Sequence, residues 1–262
     1  MIYGCPADLG QKRKCGTFES PEELFAHFEQ CHMPQSVPRG LRRPRRILLW
    51  AAQMGHEAVI QLLFLKKDPD VEVRDFDLMT PLSLAAREGR NTVVPLLLEK
   101  GAKLESRDKE SKTPLAWAAC RGHNTIVRLL LEKGADLESL DIDLRTPLAL
   151  AADGGHQNVV SSLLQSGANL KTRDKRSMTP LLLAVRSWGR EGLVRLLLDN
   201  GADPKVRDDT GKSPLDYARE RNNSAVAKLL EKREKSAVDK LQEATRSAWG
   251  WSWRVVPDLL RK

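Results

Sequence analysis

The tripeptide Thr-Pro-Leu recurs along this chain at a nearly constant interval. A fixed period of this length indicates a solenoid of stacked units, because one such unit is too small to cover its own apolar face. Neighbouring units are therefore predicted to share one continuous core. The tripeptide begins at Thr80, Thr113, Thr146 and Thr179, at equal intervals, and returns one position late as Ser213-Pro214-Leu215.

Each unit carries the signals of two consecutive helices. Thr is a favoured N-cap, and Pro suits the first helical position because its missing N–H has no partner there. Paired small residues such as Ala118-Ala119 allow a neighbouring helix to approach closely, and a glycine such as Gly122 suits a helix end with positive φ. A second apolar run, Leu129-Leu130-Leu131 in the third unit, ends at Gly134-Ala135. One unit is thus predicted to be a helix, a turn, a second helix and a hairpin-like loop.

These features resemble the ankyrin repeat, which shares the period, the Thr-Pro-Leu, the paired alanines, the Gly-His and the Gly-Ala. The resemblance covers residues 43–232. It implies an all-α ankyrin-repeat solenoid of about six stacked helix-turn-helix units with hairpin-like loops. The first unit lacks Thr-Pro-Leu and the last begins with Ser213, and we interpret both as caps because one face of a terminal unit meets solvent.

Two positions depart from the family pattern. The His that usually follows Thr-Pro-Leu is absent, so the hydrogen bonds that it makes between repeats are expected to be missing. The loop glycine survives only at Gly211, so several loop tips are expected to be strained, because other residues avoid positive φ. The first position holds Ser83, Ala116, Ala149, Leu182 and Asp216, and the second holds Leu78, Ser111, Leu144 and Ser177.

The resemblance implies a non-enzymatic surface that binds a partner protein through the loop tips and the concave face of the first helices. The absence of a phosphate-binding glycine loop and of a nucleophile motif also argues against an enzyme. Trp50, Trp117 and Tyr217 are expected to pack into the core. Arginine and large apolar side chains are typical of binding hot spots. The candidate contacts are Phe76, Lys109, Ile142 and Arg176 at the tips, and Arg87, Arg121, Met178, Arg186 and Trp188 near the concave face.

The dipeptide Arg-Asp recurs in the loops. Side by side in stacked units, these pairs are predicted to form a charge ladder. Exposed ion pairs are worth only ~0–1 kcal/mol each, so the ladder is expected to contribute solubility and register. The pairs begin at Arg74, Arg107, Arg173 and Arg207.

Residues 1–32 resemble a Cys-Cys-His-His zinc finger with a ββα fold. Phe18 and Leu24 match core positions, and residues 20–23 (Ser-Pro-Glu-Glu) form a helix start with a capping box. The cysteine pair departs from the family, because nine residues separate the two cysteines where two to four are usual. The alternative is a short helix with incidental thiols. The resemblance implies a structural zinc ion held by Cys5, Cys15, His27 and His32, with Cys31 as an alternative fourth ligand.

The finger is poorly suited to DNA. The resemblance places Ser20, Glu23 and Ala26 at the base-reading positions, and none of these residue types makes bidentate contacts to purines. Residues 15–32 contain four glutamates and no Lys or Arg, so they would repel phosphates. Nucleic acid is therefore disfavoured as a partner. The alternative function, a nucleic-acid-associated transcriptional regulator, would use the finger together with the basic linker that follows it.

Basic segments flank the predicted array. Residues 33–42 form a Pro/Arg linker, and the run from Arg42 to Arg46 is either a nuclear import signal, a phosphate patch or a solvated connection. Residues 233–262 are predicted to be a C-terminal helix and a Trp-rich tail, which either caps the last unit or anchors a partner or a membrane surface. The net charge of +8 lies mainly in the flanks, since residues 47–227 carry only +1. This distribution favours a protein-binding scaffold.

The hydropathy pattern of the chain indicates where in the cell the protein is expected to be. The apolar runs are far shorter than the ~18 residues of a membrane span, and the N-terminus lacks the apolar stretch of a secretory signal. We therefore expect an intracellular protein, in the cytoplasm or the nucleus, with no transmembrane segment. We also expect the protein to be monomeric.

Overall fold

Helical pairs make up most of the structure. The structure is a computed structural model that describes residues 43–67, 69–187 and 189–234, together with residues 3–4, 17–18, 20 and 23. Its helices are α1 (Arg43–Met54), α2 (Glu57–Lys67), α3 (Pro81–Arg87), α4 (Val93–Glu99), α5 (Pro114–Arg121), α6 (Asn124–Glu132), α7 (Pro147–Asp153), α8 (Gln157–Gln165), α9 (Pro180–Ser187), α10 (Glu191–Asp199), α11 (Pro214–Glu220) and the helical residues 224–234, here α12.

The predicted N-caps are confirmed. The Thr113 hydroxyl accepts a hydrogen bond from the Ala116 N–H at 3.2 Å, and the preceding and following units repeat this contact. Ser213 completes a reciprocal capping box with Asp216, whose carboxylate accepts from the Ser213 N–H at 2.8 Å. Each Thr-Pro or Ser-Pro of the repeats therefore begins a helix at its proline.

The helices form two layers. The first helices of successive units, α1, α3, α5, α7, α9 and α11, pack side by side, and the second helices α6, α8 and α10 form a parallel row behind them. Alanine pairs such as Ala118-Ala119 are fully buried, which allows the close approach of the first helices. One leucine of each second helix from α4 onward is completely buried between the layers: Leu97, Leu130, Leu163, Leu197 and Leu230.

Histidines link neighbouring units at the helix ends. Gly122 ends α5 with φ +80°, and a Cβ at this glycine would lie 2.5 Å from Nδ1 of His156. The glycine therefore leaves space for His156, whose Nε2 lies 3.0 Å from the Cys120 carbonyl oxygen. His123 makes the equivalent contact with the Arg87 carbonyl at 2.9 Å. These bonds connect the units although the His that the family places after Thr-Pro-Leu is missing.

Only a few of the residues that precede α1 are described. Strands β1 (Tyr3–Gly4) and β2 (Thr17–Phe18) pair antiparallel, with Gly4 opposite Thr17. The Ser20 hydroxyl accepts a hydrogen bond from the Glu23 N–H at 3.1 Å, as an N-cap serine does. The remainder of the predicted ββα segment, with all five candidate zinc ligands, lies outside the described residues. The linker 33–42 and residues 235–262 lie outside them as well.

A membrane-spanning helix needs both length and apolar character. Among the residues that the structure describes, no helix combines the two.

Candidate protein-binding surface

Five similar turns form the tips of the array, at residues 75–79, 108–112, 141–145, 174–178 and 208–212. Each turn begins with an aspartate whose Oδ1 accepts hydrogen bonds from the backbone N–H groups two and four residues later. At Asp75 these bonds measure 2.8 Å each, from Asp77 and Met79. The same pair of bonds recurs at Asp108, Asp141, Asp174 and Asp208. The aspartates thus fix the shape of the tips.

The fourth residue of every turn has positive φ. Leu78 and Leu144 have φ values of +60° and +63°, where Gly211 has +81°. A non-glycine residue in this region costs roughly 1–2 kcal/mol, because its Cβ approaches the following carbonyl oxygen. The strain predicted from the missing glycines is therefore present in the backbone, as Ser111 and Ser177 also have positive φ.

Backbone hydrogen bonds join each tip to the next. The Lys109 N–H donates to the Asp77 carbonyl at 3.0 Å, and the Ile142 N–H donates to the Glu110 carbonyl at 2.8 Å. Lys175 and Asp209 continue the series with bonds to the carbonyls of the preceding turns. The five turns therefore form one continuous edge, which we name the tip surface.

Large apolar side chains are exposed on two of the five tips. Phe76 is 91% exposed and Ile142 is 53% exposed. They occupy equivalent places in the segments Asp-Phe-Asp-Leu and Asp-Ile-Asp-Leu, two units apart. The intervening unit has Lys109 at this place. The exposed apolar residues of these two tips, together with the residue directly before the second, are Phe76, Leu78, Leu140, Ile142 and Leu144, and we refer to all five as the apolar tips.

In three of the four Arg-Asp pairs the arginine binds the carbonyl group of a neighbouring loop, and no pair forms a rung of a charge ladder; Arg207 lies 3.8 Å from Asp216, at the start of α11. Arg74 Nη1 donates to the Arg107 carbonyl at 3.0 Å, and Arg107 Nη1 donates to the Leu140 carbonyl at 2.7 Å. Arg173 donates in the same way to the Arg207 carbonyl at 2.8 Å. The expected ladder of ion pairs is therefore wrong, since the aspartates are engaged by their own turns. The fourth unit has Leu140 where the others have arginine, so this side-chain link is interrupted there.

The predicted tip contacts lie close to their expected places. Phe76, Lys109 and Ile142 are exposed at the tips. Arg176 is exposed, but its place in the turn is that of Asp77, one residue after the place of Phe76. The hydrogen bonds show this equivalence: the Arg176 carbonyl accepts from the Asp209 N–H as the Asp77 carbonyl accepts from the Lys109 N–H. The equivalent of Phe76 and Ile142 is Lys175, which the sequence reasoning missed although the repeat period points to it.

Met178 is not a surface residue, contrary to the expectation. It is 1% exposed and packs in a small cluster with Leu182 and Leu183, against which Tyr217 packs. The end of the tip turn directs this side chain under the next unit, so we remove it from the candidate contacts. Trp188 lies outside the described residues.

The concave-face arginines differ in their surroundings. Arg87 Nε donates to Glu88 Oε1 at 2.9 Å, and its guanidinium lies 5.6 Å from the centre of the Trp117 ring. Arg186 Nη2 lies 3.7 Å from Asp153, so this guanidinium is engaged within the array. Arg121 is exposed at the end of α5. The concave face thus offers less free charge than the sequence suggests.

Two aromatic residues on the first helices are held by the tip aspartates. Trp117 Nε1 donates to Asp108 Oδ2 at 2.7 Å, and the Tyr217 hydroxyl donates to Asp208 Oδ2 at 2.6 Å. Burial and the adjacent Asp208 carboxylate raise the pKa of Tyr217 to about 12. These contacts explain why Trp117 and Tyr217, like Trp50, pack against the core as predicted.

Comparison with known proteins identifies the array. A family model described as ankyrin repeats matches the chain in three copies, at residues 48–141, 137–208 and 174–240. A search of curated proteins finds no match to the chain. The matched residues span well over half of the sequence, and their helix pairs and linked tips have the arrangement that the repeat period predicts. The chain therefore belongs to the ankyrin-repeat family.

Proposed function

We propose that this protein is a non-enzymatic scaffold or adaptor that binds a partner protein through the tip surface and the adjoining concave face. Ankyrin repeats are general protein–protein interaction modules, and proteins built from them are typically not enzymes. The observation that carries the proposal is the exposure of Phe76 and Ile142 at equivalent places on two tips. A few well-packed side chains carry most of the binding free energy of an interface, and exposed Phe and Ile side chains can supply such contacts.

Three leucines at or beside the tips occupy positions where another residue would stabilise the fold, and this observation supports the same function. Leu78 and Leu144 hold positive φ, and Leu140 replaces an arginine that would link two units. We expect each choice to lower the stability of the fold, and each places an exposed apolar side chain at the tips. Strained backbone conformations and other destabilising residues cluster at functional sites, because binding can require side chains that lower the stability of the fold.

The test compares apolar side chains on and off the tip surface. The double variant F76S/I142S removes the two anchors, and the matched control L65S removes an equally apolar residue of α2 that is 82% exposed. Quantitative affinity purification with mass spectrometry is expected to recover a partner with the unaltered chain and with L65S, and to lose at least nine-tenths of it with F76S/I142S. Equal recovery with all three chains would refute the tip surface as the binding site.

For the N-terminal segment we propose a structural zinc ion held by Cys5, Cys15 and His27, with His32 or Cys31 as the fourth ligand. The pairing of Gly4 with Thr17 supports this assignment. Gly4 directly precedes Cys5 and Thr17 follows Cys15 closely, so the pairing brings together the segments next to the two cysteines although nine residues separate them in sequence. A thiolate and imidazole set suits Zn²⁺, and a segment this short gains most of its folding free energy from metal. The role is structural or protein-binding.

Metal analysis of the purified full chain tests the zinc assignment. One equivalent of zinc is expected in the unaltered chain, and less than one-fifth of an equivalent in C15S/H27A. The control C120S alters a cysteine on α5 and should keep its zinc. Zinc-free protein purified without chelators, or equal zinc in C15S/H27A, would contradict the proposal.

A further inference from the structure

The first four tips of the tip surface alternate in chemistry. At equivalent places they present Phe76, Lys109, Ile142 and Lys175, which are apolar, cationic, apolar and cationic, and all four are exposed. The fifth tip has the exposed Asp209 at this place. The first helices of successive units pack side by side. Because packed helices lie about 8–10 Å apart, successive tips are about 10 Å apart and the two apolar tips about 20 Å apart.

The fourth tip, next to the second apolar tip, carries positive charge that no ion pair among the described residues offsets, and the exposed Asp209 follows it on the fifth tip. Asp143 Oδ2 lies 3.0 Å from Arg145 Nη2, and Asp77 Oδ1 lies 3.4 Å from Lys109 Nζ, so these acids are paired within the array. Lys175 and Arg176 are exposed, and neither forms an ion pair with any residue that the structure describes. A partner that covers the apolar tips gains most by placing acidic groups next to them, over the fourth tip.

The backbone of the tip surface favours a helix over a strand as the bound element. The N–H groups of Lys109, Ile142, Lys175 and Asp209 already donate to the preceding tips. A partner that bound as an added strand would need such groups free. A helix satisfies its own backbone and offers only side chains, and two heptads of helix span about 20 Å at about 1.5 Å per residue.

We propose that the tip surface binds an acidic amphipathic helix of the partner protein, an inference that rests on the proposed function above. One apolar residue of the helix contacts Phe76 and Leu78. A second, about two heptads later, contacts Ile142 and its neighbours, and an acidic residue about one heptad further along pairs with Lys175 and Arg176. The charge pair sets the direction in which the helix lies on the array.

A displayed peptide library tests this inference without knowledge of the partner. The probes are helical peptides about four heptads long, randomised at four positions one heptad apart, and they are selected on the full chain. Apolar residues are expected at the first and third positions and Asp or Glu at the fourth. A selected peptide should bind F76S/I142S and K175E/R176E at least tenfold more weakly than the unaltered chain or L65S. Exchange of its fourth residue for Lys should restore binding to K175E/R176E.

Four outcomes would overturn the inference: enrichment without acidic residues at the fourth position, equal binding to F76S/I142S, no rescue by the charge exchange, or failure to enrich any helix. If partner recovery still depends on Phe76 and Ile142 in the last case, the proposed function stands and only the acidic helix is wrong. If partner recovery does not depend on Phe76 and Ile142, both the acidic helix and the proposed function are wrong.

Discussion

Leu144 holds a backbone conformation that glycine adopts at lower free energy. Its φ is +63°, and the equivalent Gly211 has φ +81° with open space where a Cβ would project. Relief of the strain is partly offset by the greater chain entropy of glycine in the unfolded state. We expect L144G to raise the free energy of unfolding by about 1 kcal/mol.

The reverse substitution serves as the matched test of this prediction. The Cβ that G211L adds meets no atom within 4 Å, so we attribute the expected loss to the backbone conformation. We expect it to lower the free energy of unfolding by roughly 1–2 kcal/mol in urea titrations. If L144G destabilised the chain, or if G211L were neutral, positive φ would not be the source of strain.

His56 makes stability depend on pH. Burial, followed by the nearby positive charge of Arg90, lowers the pKa of His56 from its ordinary value, and its ring lies 4.8 Å from that of Trp50. In the unfolded chain this imidazole binds a proton more readily than in the folded chain. The free energy of unfolding should therefore fall as the pH drops below about 6.5, the ordinary pKa of His.

The variant H56Q isolates this residue. Urea titrations at pH values about one unit above and about one unit below the ordinary pKa of His should show a smaller loss of stability for H56Q than for the unaltered chain. The same loss in both proteins would show that other groups cause the acid sensitivity.

At the scale of elements, the arginine–carbonyl bonds hold adjacent loops together. The fourth unit lacks the donor because Leu140 stands where Arg107 and Arg173 stand in their own units. L140R should donate to the Arg173 carbonyl and raise the free energy of unfolding by about 0.5–1.5 kcal/mol, the usual net worth of one hydrogen bond. It should also weaken partner binding, because Leu140 belongs to the apolar tips.

A paired substitution checks that assignment. R107L removes the bonds from Arg107 Nη1 to the carbonyls of Leu140 and Ser111 and should lower stability by a comparable amount. Urea titration measures both effects. A stabilised L140R that bound partner at full strength would separate Leu140 from the binding surface.

The helices could be predicted from sequence more completely than the loops. Thr113 and Gly122 act within one turn of their own helix, so residue type and spacing decide their roles. The partners of Arg107 and the burial of Met178 depend on the next unit, which adjacency in sequence does not reveal. The strain at Leu78 was predictable because it depends on a single backbone angle. The preference of Arg107 for a carbonyl over a carboxylate as its hydrogen-bond acceptor depends on the positions of two neighbouring units, so sequence alone could not predict it.

At the scale of the whole molecule, stability should vary along the array. Each unit contacts only its neighbours, so a defect at the end affects one unit and a defect in the middle affects two interfaces. Val226 of α12 and Val127 of α6 are both completely buried. Each Val→Ala change should cost roughly 2–3 kcal/mol locally, since it removes buried methyl groups and leaves a cavity.

Hydrogen exchange measured by mass spectrometry distinguishes the two positions. V226A should accelerate exchange in α11 and α12 and leave α5 to α8 protected. V127A should accelerate exchange in α3 to α8. Uniform acceleration in both variants would mean that the array unfolds as one cooperative block.

The chemistry of the first four tips repeats every two units, whereas the fold repeats every one. Loss or duplication of the unit that lies between the two apolar tips would leave the helices with the same kind of neighbours, so we expect that the chain would still fold. The distance between the two apolar tips would change by about 10 Å, half of their separation. Gene rearrangements that are neutral for folding would therefore alter which partners this surface accepts, and only changes by pairs of units would keep its alternation intact.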